Sequence, residues 1–297
     1  MYGLLAGILW AMDTVILSYA MSSIPSLSFF IPLIITCFHD LISFIFLMIM
    51  LIIRKEFKDF IVCLYHKSSF YIILGALLGG PIGMGCYVLS IHYLSASLSA
   101  SISAFYPAVG AFFAWLLLKE KMSFIQIIGL FLSIIGVVLL GFTPGKLSFD
   151  IGFIFALLCT LGWGLEAVVV GYGLKNNTIK DQYALTIRQG ISAMIYLMII
   201  IPILFYNPIT IHSHVIGVIG CSALFGTLSY LCYYHSIQKI GAFLSMSLNI
   251  TYSAFAIILT SILTMTLPDI KTVICTLFIL IGSILVYVKR MSYEVNP

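Results

Sequence analysis

Trp10 is followed three residues later by Asp13, and Trp163 three residues later by Glu166, each pair inside a long apolar stretch. On a helix that spacing sets indole and carboxylate on one face. An aromatic face beside an anion is chemistry for holding an organic cation, because the ring quadrupole and the carboxylate attract positive charge without asking the ligand for a hydrogen-bond donor. Acids at that depth have two further uses: carrying a proton whose binding changes with access, or pairing with a buried cation such as Arg188.

Other residues can join such a site. Tyr87, Tyr106, Tyr233, Tyr234 and Tyr252 could complete an aromatic box around a cation. His39 and Asp40 lie in the second apolar stretch, Arg188 and Gln189 in the seventh. Neighbours on a helix point about 100° apart, so one member of each pair is expected to face a given cavity. Glu166 is the first choice of proton carrier, with Asp13, His39 and Asp40 as further candidates. Arg188 and Gln189 are expected in a structural charge pair, with Asp40 or Glu166 neutralising the guanidinium.

The elements that must position these residues follow from composition. With 62% hydrophobic and 8% charged residues and a mean hydropathy of +1.18, the chain is read as an all-α integral membrane protein in contact with membrane lipids. Spans of about 20 residues are predicted at 2–20, 29–53, 69–92, 96–118, 123–142, 150–172, 181–206, 212–236, 240–266 and 270–288, with turn signals near Pro25, Pro144, Asn176 and Pro208. The first stretch lacks a basic head and a small-residue cleavage site, so it is read as a retained span. Eleven of the fourteen Lys and Arg fall on one side if the N-terminus is cytoplasmic, leaving Lys146 and Lys271 outside and Arg188 within a span; this predicts both termini in the cytoplasm. The net charge of +4 is spread over short gaps and does not point to nucleic acid. Seven cysteines without CxxC or Cys/His spacing point to neither a metal centre nor a disulfide framework, and no cofactor motif is present.

An internal repeat organises the spans. Adding 146 carries Cys86 to Cys232, Tyr87 to Tyr233, Ser90 to Ser236, Tyr106 to Tyr252 and Gly136 to Gly282; an offset of 153 carries Trp10 and Asp13 to Trp163 and Glu166. The halves are 1–145 and 146–297, and five spans in each make the second half inverted relative to the first. Inverted repeats belong to secondary transporters with sites near the midplane, and no HExxH, Gly-x-Ser-x-Gly or Walker pattern argues for an enzyme. Small residues at four-residue spacing (Gly75, Gly79, Gly83; Ser95, Ser99, Ser103) predict close helix packing, and Pro81 and Pro107 predict kinks.

With Tyr106-Pro107-Ala108, Leu118-Lys119-Glu120-Lys121 and Gly129 in the first half, the chain resembles the EamA-type members of the drug/metabolite transporter superfamily. His39-Asp40, Gly80-Pro81-Ile82-Gly83, Trp163-Gly164 with Glu166, Ile187-Arg188-Gln189, Tyr233-Tyr234 and Leu248-Asn249 with Tyr252 are similar to runs in bacterial choline importers that feed phosphocholine decoration. The resemblance implies proton-coupled import of a choline-like cation across the bacterial cell membrane, and adds Asn249 to the site. Asp13 departs from what it leads one to expect. An exporter of amino acids or other small metabolites on the same fold is the alternative, with Arg188 as the partner for a carboxylate.

Overall fold

A computed structural model describes residues 1–23, 30–93, 102–103, 105–141, 151–175, 178–206, 212–265 and 267–295. The turn signals at Pro25, Pro144, Asn176 and Pro208, the boundary at 145/146, and Ser95 and Ser99 lie outside the described residues. Among the described residues every regular element is a helix. An apolar chain that cannot offer its backbone water must bond each N–H and C=O internally, which a helix does within one stretch.

The order is α1 (Tyr2–Ser22), α2 (Phe30–Ile53), α3 (Phe57–Leu64), α4 (Lys67–Leu77), a π-helical segment (Leu78–Met84), α5 (Gly85–Tyr93), α6 (Tyr106–Phe113), a second π-helical segment (Ala114–Leu118) and α7 (Phe124–Gly141). Then come α8 (Ile151–Leu174), α9 (Asp181–Tyr206), α10 (Ser213–Ile240), α11 (Ala242–Asn249), α12 (Tyr252–Thr264) and α13 (Ile270–Val295). Among the described residues six helical runs are long and apolar enough to cross a membrane: Leu33–Ile53, Lys67–Ser90, Ile151–Leu174, Asp181–Phe205, Ser213–Ile240 and Ala242–Leu263. Shorter apolar helices run over Tyr2–Leu17, Tyr106–Leu118, Phe124–Leu139 and Ile270–Val286. Polarity is the reverse of a water-soluble fold. Phe70, Phe131, Met198 and Ile262 are exposed, whereas Asp13, His39, Asp40, Glu166 and Arg188 are each no more than 5% exposed.

Packing pairs the two halves of the chain. α1 lies against α10 and α12, α4 and α6 lie against α8, α2 against α9, and α7 against α13. Along the last pair the backbones touch: a Cβ at Gly129 would stand 2.6 Å from the Gly282 carbonyl.

Three departures from ideal helix matter for the site. Pro81 sits inside the first π-helical segment, where it has no N–H to give; the neighbouring carbonyls of Gly79 and Gly80 are taken up by Trp163 Nε1 at 3.2 Å and the Tyr196 hydroxyl at 3.3 Å. Pro107 lies in the first turn of α6, so it starts a helix instead of kinking one. The stretch read as one span over 240–266 is two helices, α11 and α12, parted at Ile250 and Thr251. The short α3, which buries Phe60 and Cys63, is an element that reading by span-length stretches passes over.

Candidate functional site

The irregular points converge on one place. α1 brings Trp10, α6 brings Tyr106, α8 brings Trp163 and Glu166, α10 brings Ser229, Tyr230 and Tyr233, and the parted ends of α11 and α12 bring Asn249 and Tyr252; together they line one cavity. Its aromatic wall is made of edge contacts: Trp10 meets Tyr230 at 5.2 Å between ring centroids, and Trp163 meets Tyr106 at 6.1 Å.

Glu166 is the one acid in this wall. Its Oε1 accepts from Arg188 Nε at 3.1 Å and from the Tyr234 hydroxyl at 3.1 Å. Room for the carboxylate is made by Gly79, where a Cβ would fall on the carboxyl group itself, and room for the Trp163 ring by Gly83. The glycine spacing read as helix packing therefore also seats the site. At the opposite wall Asn249 Nδ2 donates to the Tyr106 hydroxyl at 3.3 Å, and Asn249 Oδ1 accepts nothing among the described residues.

A second, larger cavity shares Trp10, Trp163, Tyr230 and Tyr252 with the first, so these four form a collar between two chambers. The larger chamber adds Asp13, Thr36, His39, Asp40, Tyr87 and Arg188. Here the charged groups form a continuous chain. His39 Nδ1 lies 3.0 Å from Asp40 Oδ1, and His39 Nε2 lies 3.4 Å from Asp13 Oδ1. Arg188 Nη1 lies 3.6 Å from Asp40 Oδ2, and Arg188 Nε reaches Glu166. Three carboxylates thus face one guanidinium and one imidazole. The set carries two net negative charges with the imidazole neutral and one with it protonated.

The surrounding side chains complete this chain. Ser192 donates to Asp40 Oδ2 at 2.5 Å, and Ser222 donates to Asp13 Oδ1. Arg188 also donates to Gln189 Oε1 at 2.8 Å and to the Tyr230 hydroxyl at 2.9 Å, with its guanidinium carbon 4.4 Å from the Tyr230 ring centroid. Gly226 leaves space for the His39 and Asp13 pair, where a Cβ would stand 2.8 Å from His39 Nε2.

Several residues stand differently from their sequence reading. His39 and Asp40 both line the larger chamber, because the imidazole turns back onto its neighbour's carboxylate instead of pointing a third of a turn away. Tyr234 is fully buried behind the wall and reaches the site only through its hydrogen bond to Glu166. Tyr87 lines the larger chamber, 5.0 Å from Trp163. Tyr230 belongs to both chambers and went unread, although its spacing to Tyr233 and Tyr234 marks one helix face.

At the helix ends near Arg54 polar contacts link the helices: Lys180 to Glu56 at 2.9 Å, Arg54 to Gln182 at 2.7 Å, and His235 to Asp181 at 2.5 Å with Tyr2 edge-on to the imidazole. The Lys180 ammonium holds the Glu56 carboxyl below the usual carboxylate range. At the same end Glu120 accepts from the backbone N–H groups of Ala242 and Phe243 at 2.9 and 3.1 Å, tying the turn before α7 to the start of α11.

Comparison with known proteins places this architecture. Protein LicB of Haemophilus influenzae is 31% identical over 262 residues, covering 86% of this chain and 86% of the relative. An uncharacterized transporter of Clostridium kluyveri is 26% identical over 227 residues, covering 73% and 71%. A crystal structure superposes with a TM-score of 0.77 at 16% identity, covering 100% of this chain and 98% of its own, a likeness of fold alone. The model of the EamA-like transporter family matches residues 1–142 and 150–288. The protein is a multi-pass membrane transporter and not an enzyme: the chain belongs to the EamA-like transporter family.

Proposed function

We propose that the protein imports choline or a closely related quaternary amine into the bacterial cell, coupled to protons, by alternating access between two inverted five-helix repeats over 1–145 and 146–297. The observation that carries this reading is the first chamber: Trp10, Tyr106, Trp163, Tyr230, Tyr233 and Tyr252 around a space that holds one carboxylate, Glu166. A quaternary ammonium offers no hydrogen-bond donor, so selective binding must come from ring faces, worth about 2 kcal/mol each when desolvated, and from net negative charge. Asn249 Oδ1 is the acceptor we assign to the substrate hydroxyl. The motif resemblance to choline importers supports the same substrate.

Ten crossings with both termini cytoplasmic fit the six long and four shorter apolar helices and the distribution of Lys and Arg. Exchanging the halves of the chain maps the packing onto itself: α1 against α10 answers α4 against α8, and α1 against α12 answers α6 against α8. That symmetry supports inverted repeats. In this orientation the Arg54, Glu56, Lys180 and Asp181 contacts seal the cytoplasmic end, while the larger chamber runs toward Leu17 and Thr36 on the outer side. The reading is of an outward-facing carrier. An exporter of amino acids would need a free cation for the substrate carboxylate, and Arg188 is already held by Glu166 and Asp40.

Uptake of labelled choline into liposomes containing the purified chain, with and without an imposed proton gradient, tests the proposal. Saturable uptake competed by other quaternary amines is expected. No uptake, together with counterflow of neutral amino acids, would refute it.

A further inference from the structure

His39 is held between two carboxylates that come from different helices, and its two nitrogens are not equivalent. Nδ1 lies 3.0 Å from Asp40 Oδ1, a hydrogen-bond distance, and the tautomer of the neutral ring that satisfies this contact has its proton on Nδ1. Nε2 then presents a lone pair toward Asp13 Oδ1 at 3.4 Å, and among the described residues it has no hydrogen-bond partner. An unprotonated nitrogen facing a carboxylate is an arrangement completed by one proton. Arrival of that proton on Nε2 converts two opposed lone pairs into a charged hydrogen bond.

Glu166 responds to a proton in the opposite way. Its Oε1 already accepts from Arg188 and Tyr234, so a proton on this carboxyl would remove the negative charge that pairs the buried guanidinium. The charged and titratable groups around the imidazole are Asp13 from α1, Asp40 from α2, Arg188 from α9 with Glu166 of α8 behind it, and the phenols of Tyr87 from α5 and Tyr230 from α10. The cluster sits where α1, α2 and α10 meet, with Gly226 clearing its space.

We infer that His39 is the proton-carrying group of transport, with Asp13 the acceptor that receives its Nε2 proton and Glu166 the counter-charge of the substrate. The inference rests on the proposed proton-coupled import. It also fixes a stoichiometry. One substrate cation in the first chamber and one proton on His39 together cancel the two negative charges of the set, so the loaded carrier closes as a neutral unit and one proton enters per cation. No bond other than N–H forms or breaks.

The test uses the full chain in liposomes clamped at zero voltage, with the outside one pH unit more acidic. Wild type is expected to accumulate labelled choline about tenfold, the limit for one-to-one coupling. His39→Gln is expected to let labelled choline equilibrate across the membrane without accumulating it. Accumulation by His39→Gln at the wild-type level would overturn the assignment. Should that variant also lose counterflow, Asp13→Asn decides: its accumulation is expected to fall at mildly acidic outside pH and to recover at lower pH, and an unchanged profile overturns the proposal. Should wild type show no choline counterflow, the substrate reading fails by itself. The proton assignment is then read from tryptophan fluorescence against pH, which His39→Gln is expected to flatten and Glu166→Gln to preserve; the reverse result overturns it.

Discussion

Replacing Glu166 by Gln separates charge from shape at the centre of the site. The amide has the size of the carboxylate and keeps an acceptor for the Tyr234 hydroxyl, now at 3.1 Å. Arg188 keeps Asp40 at 3.6 Å, Gln189 at 2.8 Å and Tyr230 at 2.9 Å, so the guanidinium is not stranded. What disappears is one unit of negative charge in a wall a few ångströms from a bound cation. At an effective dielectric near 20, a unit charge at 4 to 8 Å is worth about 4 down to about 2 kcal/mol. The choline Kd should therefore rise roughly 30- to 1000-fold. Binding followed by titration calorimetry in detergent measures this directly. The uncharged isostere of choline, with carbon in place of the quaternary nitrogen, is the control, and its Kd should be the same for both proteins. Equal losses for the two ligands would mean that the variant has collapsed the chamber, and an unchanged choline Kd would remove Glu166 from the site.

Other substitutions probe the walls and the supports. Gly79→Ala should abolish choline binding, because the new methyl occupies the position of the Glu166 carboxyl; retention of wild-type affinity would show that Glu166 can swing away. Trp163→Phe removes the indole N–H that serves the Gly79 carbonyl and part of a ring face, for a cost of about 1 kcal/mol or some fivefold in Kd. Gly282→Leu should lower the melting temperature in detergent by opening the α7 and α13 contact, where a Cβ already meets Ser133 N at 2.7 Å, with about 1–3 kcal/mol lost. Burial holds the Glu120 carboxyl above the usual carboxylate range. A group raised in the folded state contributes stability at low pH and loses it as pH rises through the folded value. Thermal stability should therefore gain on mild acidification from neutral pH, by a margin that Glu120→Gln removes.

The apolar helices were legible from composition, and the Trp and acid pairs from their spacing, because both depend on periods that one stretch of sequence contains. Trp10, Trp163, Glu166, Tyr106 and Tyr252 line one chamber because each stands on the inward face of its own helix. The rest depends on what neighbouring helices do to one another. Tyr230 and Tyr234 stand four residues apart, about 40° around one helix, and the placement of Arg188 against the Tyr230 ring separates their roles. Ser192 and Ser222 became visible only through Asp40 and Asp13, which lie 152 and 209 residues away in sequence. The break at Ile250 and Thr251 carries no Pro or Gly, and a uniformly apolar stretch gives no warning of it.

The irregular backbone and the site chemistry are one arrangement, because the same side chains serve both. Away from water, each carbonyl released by a π-helical turn or a parted helix needs a donor. Trp163 donates to Gly79 O, and at the parting of α11 and α12 side chains add to backbone bonds: Tyr106 donates at 3.4 Å to Met246 O, which also accepts from Ile250 N, and Thr251 Oγ1 donates at 2.6 Å to Leu248 O, which also accepts from Thr251 N. On the proposed reading, a cation drawn against Trp163 and Tyr106 would pull on groups that hold the first π-helical segment and α11 in their present form, and Glu166, seated against Gly79, would add charge to the same joint. Filling the chamber would then be coupled to the third and ninth apolar stretches of the chain without any longer path. Substitutions that straighten these helices, such as Pro81→Ala, should leave equilibrium binding within a few-fold while slowing transport. A Kd that changed as much as the transport rate would show that the irregularity shapes the chamber alone.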